Sequence, residues 1–407
     1  MITPGQPSSN PRLVKEALAL RDAGFKVTVL YSFWVDWADE MDKQLFIDNP
    51  DINWTLVGGH PRTQPLLFAI TRLNYKFSRY VSQCLPSSAY WQERAMTRTG
   101  LALGRKARTL PAVLYIAHYL GALGPACRAA RKHLTKYSFD AEDFHRGQVQ
   151  EGSLAYKRDV LLEDRFLPGV SGCTAASPMI ADKYRQLYPL LEPAIIHNVF
   201  SRRYLQTEPP PYRSGEILKL FWFSQTVGSG RGLEELIISM GKVKGHHLSC
   251  TILGSCTAAM ELELRTLAVD AGLKKEQLCF LQPIDLAGIF RIASTHHIGM
   301  ALEIATTVNR QICLTNKLFT YPLAALAVIA TDTPAQKQFI EKYPAIGTTY
   351  PVGDPTALAT ILQGYADRPE EMNQARLNAW KLAGTTLNWE AEQQVFLGHV
   401  SRIVGKN

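Results

Sequence analysis

Gly228, Gly230 and Gly232 alternate in Phe221-Trp-Phe-Ser-Gln-Thr-Val-Gly-Ser-Gly-Arg-Gly-Leu-Glu-Glu235, directly after an apolar run and before a segment of helical spacing. A strand that stops, a backbone that turns tightly and a helix that starts with unpaired amides make a cradle for phosphate, because bare N–H groups and the helix dipole both favour an anion. Arg231 adds a forked cation suited to a diphosphate, and Gln225 stands on the approach to it. A plain strand-to-helix turn would use the same glycines. A second junction of this kind is Leu314-Thr-Asn-Lys-Leu-Phe-Thr-Tyr321, where Thr315 or Asn316 can cap a helix and Lys317 can meet a phosphate or ribose. A simple cap beside a solvated lysine has the same pattern. Glu303 ends the apolar run 298–302, where a carboxylate can bind sugar hydroxyls or sit idle in a loop. In the first half of the chain His118 follows the run 113–117, and Asp140, Glu142, Asp143 and His145 close the next one. Strand ends are where acids and imidazoles reach substrate hydroxyls and move protons. Each of these residues alone is as readily structural, and only the combination carries weight.

The elements that must position these residues alternate cleanly from 218 onward. Strands are expected at 218–223, 248–253, 277–281, 298–302 and 327–331, with helices at 233–240, 258–271, 286–293 and 317–325 between or beside them. Such βαβ succession implies a parallel, doubly wound α/β sheet whose ligand lies beyond the carboxyl ends of the strands. Earlier in the chain the spacing predicts a helix over 13–20 closed by Gly24, a strand over 26–31, and helices through 64–136 broken at Pro86 and Pro111. Strands at 113–117, 137–143, 169–173 and 194–197 and a helix over 179–187 complete this half. At 407 residues the chain exceeds what one core usually serves. We read two domains, 1–205 and 206–387, joined near the stiff Pro209-Pro210-Pro211, followed by a helical terminal segment, 388–407. The first strand of the first domain is nearly absent, since only Met1-Ile2-Thr3 precede the turn residues Pro4-Gly5-Gln6-Pro7. The expectation is that an apolar strand is encoded upstream, or that the chain is poorly stable alone.

Apolar residues make up 46% and charged residues 20%, the composition of a globular protein rather than a disordered one. The seven cysteines are scattered without metal-ligand spacing and read as reduced thiols. No cationic segment followed by an apolar run opens the chain, so the cytoplasm is the expected compartment. The net charge of +8 is concentrated in 61–136, where nine Arg and four Lys face the single acid Glu93, a local +12 that leaves −4 for the rest. Interleaved aromatic residues suit this stretch to an anionic membrane surface or a phosphate-bearing acceptor, at the inner face of the membrane. A solvated helical face gives the same composition. Nucleic acid is the remaining reading of the charge, and the least favoured.

Together these pieces resemble the retaining GT-B glycosyltransferases of family 4, over nearly the whole chain. Gly5-Gln-Pro-Ser-Ser-Asn-Pro-Arg-Leu-Val-Lys15 with Gly24-Phe-Lys-Val27 resembles that family's opening loop, helix and second strand. Arg231-Gly-Leu resembles its Lys-Gly-Leu signature, Asn316-Lys-Leu-Phe its Asn-Lys-Leu-Phe-Glu-Tyr, and Gly353-Asp-Pro-Thr-Ala-Leu358 its Gly-Asp-Pro segment. The resemblance implies two Rossmann-like domains facing a cleft, a terminal helix returning to the first domain, and transfer of a sugar from a nucleotide donor to a glycan, lipid-linked or small-molecule acceptor. It implies donor contacts at Gly5, Gln225, Gly228, Gly230, Arg231, Asn316, Lys317 and Thr320, with His118, Asp143, Glu303 and Arg231 at the chemistry. No Asp-x-Asp pair stands ready for Mg²⁺, so no metal or other cofactor is expected. The chain departs from the family where two glutamates are common and it has Ile312 and Thr320, where Arg is frequent and it has Gln225, and where Gly is usual and it has Ala325. A nucleotide-sugar epimerase of the same fold and a catalytically weakened nucleotide-sugar binder are the alternatives.

Overall fold

The computed structural model describes residues 1–405; Lys406 and Asn407, the end of the expected terminal helical segment, lie outside the described residues. The chain divides into two compact units. The first holds Met1–His197, Thr307–Asn309 and the chain from Gln393 onward; the second holds Asn198–Thr306 and Arg310–Glu392. The division therefore falls at His197/Asn198 rather than at 205, and part of the terminal helix belongs to each unit.

In the first unit the strands are β1 (Thr28–Tyr31), β2 (Asn53–Leu56), β3 (Leu114–His118), β4 (Lys136–Ala141), β5 (Gly172–Ala175) and β6 (Pro193–Ile195). They pair in parallel as β1-β2 and β3-β4-β5-β6. Ile2 joins the two sheets, bridging in parallel to Leu30 on one side and Ala117 on the other. Its N–H donates to the Ile116 carbonyl and the Thr3 N–H to the Leu30 carbonyl, both at 2.9 Å. The first strand is thus reduced to a bridge that does sit between its neighbours. A cavity of about 620 Å³ lies alongside, lined by Met1, Leu20, Val27, Leu114, Ile116 and Val400 among others. The helices are α1 (Pro11–Asp22), α2 (Ala38–Asp48), α3 (Pro65–Cys84), α4 (Ala89–Met96), α5 (Gly100–Ala107), α6 (Leu120–Lys132), α7 (Leu154–Phe166) and α8 (Pro178–Leu187). α1 starts where it does because Pro11 fits the first helical position and the Asn10 side chain accepts from the Leu13 N–H.

The second unit has one six-stranded parallel sheet, β7 (Leu218–Thr226), β8 (Leu248–Ser255), β9 (Leu278–Leu281), β10 (Ile298–Ala301), β11 (Ala327–Thr331) and β12 (Gly347–Tyr350), in the order β12-β11-β10-β7-β8-β9. Its helices are α9 (Leu233–Lys242), α10 (Ala258–Asp270), α11 (Leu286–Ala293), α12 (Val308–Ile312), α13 (Lys317–Leu323), α14 (Pro334–Lys342), α15 (Pro355–Asp367) and α16 (Pro369–Thr385), the first residues of α12 grouping with the first unit. α17 (Trp389–Val404) closes the fold. The core between α9, α15 and the sheet is made by Leu218, Leu220, Leu233, Leu236, Leu358 and Leu362, all fully buried. Strand order reverses between β7 and β10, which is the switch point where an open α/β sheet leaves a crevice. Residues 209–211 carry no regular structure, as their prolines dictate.

Candidate functional site

The glycine loop leaves the carboxyl end of β7, on one side of that switch point. Gly230 and Gly232 have φ of +69° and +76°, a backbone that favours glycine. A Cβ on Gly232 would come within 2.8 Å of the Leu302 side chain, whereas Gly228 and Gly230 have open space beside them. Gly232 also serves as N-cap of α9 and offers no side chain to its first amides. Gln225 is exposed, beside a break in the β7–β8 register between Phe223 and Thr226. The Arg231 guanidinium has one polar contact, the Thr226 hydroxyl at 3.4 Å, and no ion pair among the described residues.

On the other side of the switch point β10 ends and Glu303 follows. Its backbone N–H donates to the Thr331 hydroxyl and its carbonyl accepts from the same hydroxyl, at 3.0 and 2.8 Å, which pins the loop to the end of β11. Gln336 holds Thr331 in turn. The Lys317 ammonium donates to Glu303 Oε1 at 2.8 Å and lies 5.4 Å from the centre of the Trp222 ring. Burial pushes the Glu303 carboxyl up, but Lys317 outweighs it and holds it below its ordinary value, so it is ionised near neutrality. Trp222 Nε1 is buried without a hydrogen-bond partner among the described residues. Sequence reasoning missed Trp222, because Phe-Trp-Phe in a strand reads as core; an indole N–H, which needs a partner when buried, was the signal. Asn316 is exposed at the start of α13. Thr320 requires a correction: it is fully buried, and its hydroxyl donates to the Asn316 carbonyl, so it presents nothing to a ribose. Ile312 is buried as well.

In the first unit the switch point lies at Ile2, which bridges to Leu30 and Ala117, so Gly5 and His118 follow adjacent strand positions. What surrounds His118 is different from the expectation. Its ring is buried, with Nε2 3.3 Å from Glu16 of α1 and Nδ1 3.2 Å from Asp140 of β4, ion-pair distances without full hydrogen-bond geometry. Arg12 donates from Nε and Nη2 to Asp140 at 2.8–2.9 Å and from Nη1 to the Ile196 carbonyl, and Thr174 donates to the same carboxylate. Burial pushes Asp140 up, but Arg12 and His118 hold it well below the carboxylate range. Burial would lower His118, but Glu16 and Asp140 outweigh it and raise it to about 9. Glu16, His118 and Asp140 are the one group of potential metal donors among the described residues. Arg12 brings a positive charge onto Asp140, so the cluster is a closed ion-pair network rather than a cation site. His118 is therefore buried inside this network, which links α1, β3 and β4.

The groups nearer the surface stand one to three residues further along. Tyr119 has φ of +65°, a costly conformation for a non-glycine residue directly after β3. Burial and then Asp140 push the Glu142 carboxyl up to about 7. Asp143 is half-buried and accepts from Gln148 and from Asn309, both at 2.8 Å. Gly5 donates its N–H to the Thr3 hydroxyl and accepts from the Ser32 N–H. Among the described residues no helix is long and apolar enough to cross a membrane.

No protein-family model matches the sequence, and no curated protein matches it either. Solved structures do match the fold over nearly the whole chain. Anabaena Alr3699/HepE, solved in complex with UDP, superposes with a TM-score of 0.67 at 14% identity, covering 98% of this chain and 99% of that one. A glycosyltransferase from Rickettsia africae ESF-5 gives 0.68 at 11% identity over 100% and 98%. Sucrose-phosphate synthase from Thermosynechococcus elongatus gives 0.68 at 14% identity over 98% and 97%. This chain has the fold they share, GT-B, with two Rossmann-like units.

Proposed function

We propose that the protein is a glycosyltransferase that takes a sugar from a nucleoside diphosphate donor bound by its second unit. The observation that carries the reading is the switch point of that unit. It sets an unpaired Arg231 and an uncapped helix start on one side and the ionised Glu303, fixed by Lys317, on the other. Similar folds have been solved with UDP and with UDP-glucose, which supports a nucleotide-sugar ligand here. Arg231 and the α9 amides would stabilise the charge that develops on the departing diphosphate, and Glu303 would accept hydrogen bonds from sugar hydroxyls. Transfer proceeds with retention and without a metal in this proposal. The acceptor, a glycan or lipid-linked glycan, is handled by the first unit, whose basic stretch meets an anionic membrane. There the Glu142 carboxyl is poised near neutrality, while the His118 imidazole is buried.

A donor screen by thermal melting tests this. At a hundredfold excess over Kd, one of UDP-, GDP- or ADP-sugars should stabilise by about 2.7 kcal/mol, a rise of roughly 5 °C or more. No shift with any donor rejects the proposal. Burial of Ile312 and Thr320 where the resembled family often has glutamates favours a second reading, a binder with weak turnover. A donor-induced shift without release of free nucleotide in the presence of acceptor glycans would select it.

A further inference from the structure

α3 is turned inside out. Its 20 residues place Phe68, Thr71, Tyr75, Ser78 and Ser82 toward the body of the first unit, and only Thr71, Ser78 and Ser82 of the helix are buried. The opposite side carries Leu66, Ile70, Leu73, Phe77 and Tyr80, at spacings of three and four that make one ridge. These side chains are exposed at 76, 46, 66, 57 and 68% respectively. An amphipathic helix normally turns its apolar stripe to the core. Here the inner side is held by polar contacts instead. Thr71 donates to the Gly58 carbonyl, Arg98 donates to that carbonyl and to Thr71, and Gln92 donates to the Ser82 carbonyl. Gly59, at φ +76°, lets the helix start close against it, since a Cβ there would lie 2.5 Å from the Phe68 nitrogen.

Charge decides what the ridge fits. Arg72, Lys76 and Arg79 run along one flank of it, α3 contains no acid, and none of the three is ion-paired among the described residues. A second copy of the chain on this ridge would set cation row against cation row. An anionic surface would be attracted, with the long stems lying beside the apolar ridge and their heads in the phosphate layer. Two further indoles stand exposed near the start of the helix. Trp34 follows Phe33, which packs edge-on against Phe68, and Trp37 follows Asp36, which pairs with Arg62. Tryptophan prefers the boundary between hydrocarbon and water.

We propose that the outer ridge of α3, with its Arg72–Lys76–Arg79 flank, docks the protein in the interfacial layer of an anionic lipid membrane. The proposal rests on the membrane reading of the basic stretch and is independent of the nucleotide site. Vesicles of phosphatidylcholine alone and of a roughly 3:1 mixture with phosphatidylglycerol test it by co-sedimentation at low and high salt. The full chain should bind the mixed vesicles about tenfold more tightly than the neutral ones, with loss of that preference at high salt and a blue shift of tryptophan emission on binding. L73E combined with F77E should abolish binding, and R72E with K76E and R79E should abolish the anionic preference, both with unchanged melting temperature because the replaced side chains are exposed. Absence of binding by a folded wild-type chain overturns the proposal. So does a stable dimer in light scattering at low salt, without vesicles, that L73E with F77E removes, which would identify a second copy as the occupant. Donor-induced melting shifts on the same samples report the nucleotide site separately.

Discussion

Arg231 keeps its charge with only a distant hydroxyl against it, so its removal takes away little that the fold uses. Arg231→Ala should lower turnover by about a hundredfold or more while melting stays within a degree or two of the parent, as loss of a preorganised charge at a leaving group does. Normal turnover in the folded variant would remove Arg231 from the diphosphate. His118 is the opposite kind of residue, buried and ion-paired within the fold. Its folded value near 9 lies above the ordinary 6.5, so its stabilising effect is complete below about pH 6.5 and is lost as pH rises to about 9. The loss should amount to about 3 kcal/mol, read as a falling urea midpoint across that window. His118→Gln should be less stable at low pH and should flatten the slope; an unchanged slope would show that another group titrates. The glycine loop and Arg231 were legible because strand, turn and helix are neighbours in sequence. The enclosure of His118 was not, because Glu16 and Asp140 reach it, and Arg12 and Thr174 reach Asp140, from three other places in the chain.

Among the elements, the end of α13 records a compromise. The Leu326 N–H donates to the Tyr321 carbonyl and the Ala325 N–H to the Pro322 carbonyl, a Schellman ending that places Ala325 at φ +59°. A Cβ in the left-handed region costs roughly 1–2 kcal/mol, partly offset by the extra freedom glycine has when unfolded. Ala325→Gly should therefore stabilise the protein by up to about 1 kcal/mol, seen as a melting rise of a few degrees. A fall would mean that the methyl group packs better than its backbone suffers. Alternation of short apolar runs sufficed to place β7 through β11 and their helices; β10 and β11, buried along their whole length, read as plain apolar blocks. It did not disclose α2, β2, α7 or α14 through α16, whose stripes are mixed with polar residues. Nor did it disclose which way α3 faces, since helical periodicity defines a stripe but not the direction in which it points.

For the whole molecule, the two-unit division puts Gln393 onward with the first unit. There Phe396, Val400 and Ile403 are buried, Lys136 donates to the Ile403 carbonyl, and Gly172 lacks a Cβ where Ile403 and His399 press on it. Deleting the chain from Gln393 should remove about 1.5–3 kcal/mol for each of the three apolar side chains, a large share of a total near 5–15. A circular-dichroism melt should then lose cooperativity or fall by more than 10 °C, roughly what such a loss implies for units of this size; an unchanged melt would show the segment to be dispensable. This helix was legible in the sequence, its return to the first domain was expected only from the resemblance, and no local pattern could have told which unit it covers. The outward ridge of α3 reaches further, into how the protein behaves in a tube. Near 0.1 M salt, molecules with local charge near +12 around an apolar ridge repel one another at distances of about 10 Å, and that range shrinks to about 3 Å as salt approaches about 1 M. Salt should then act against colloidal stability, with particle size in dynamic light scattering growing as sodium chloride is raised. L73E with F77E should stay monodisperse throughout, and a wild-type chain indifferent to salt would show the ridge to be too narrow to stick.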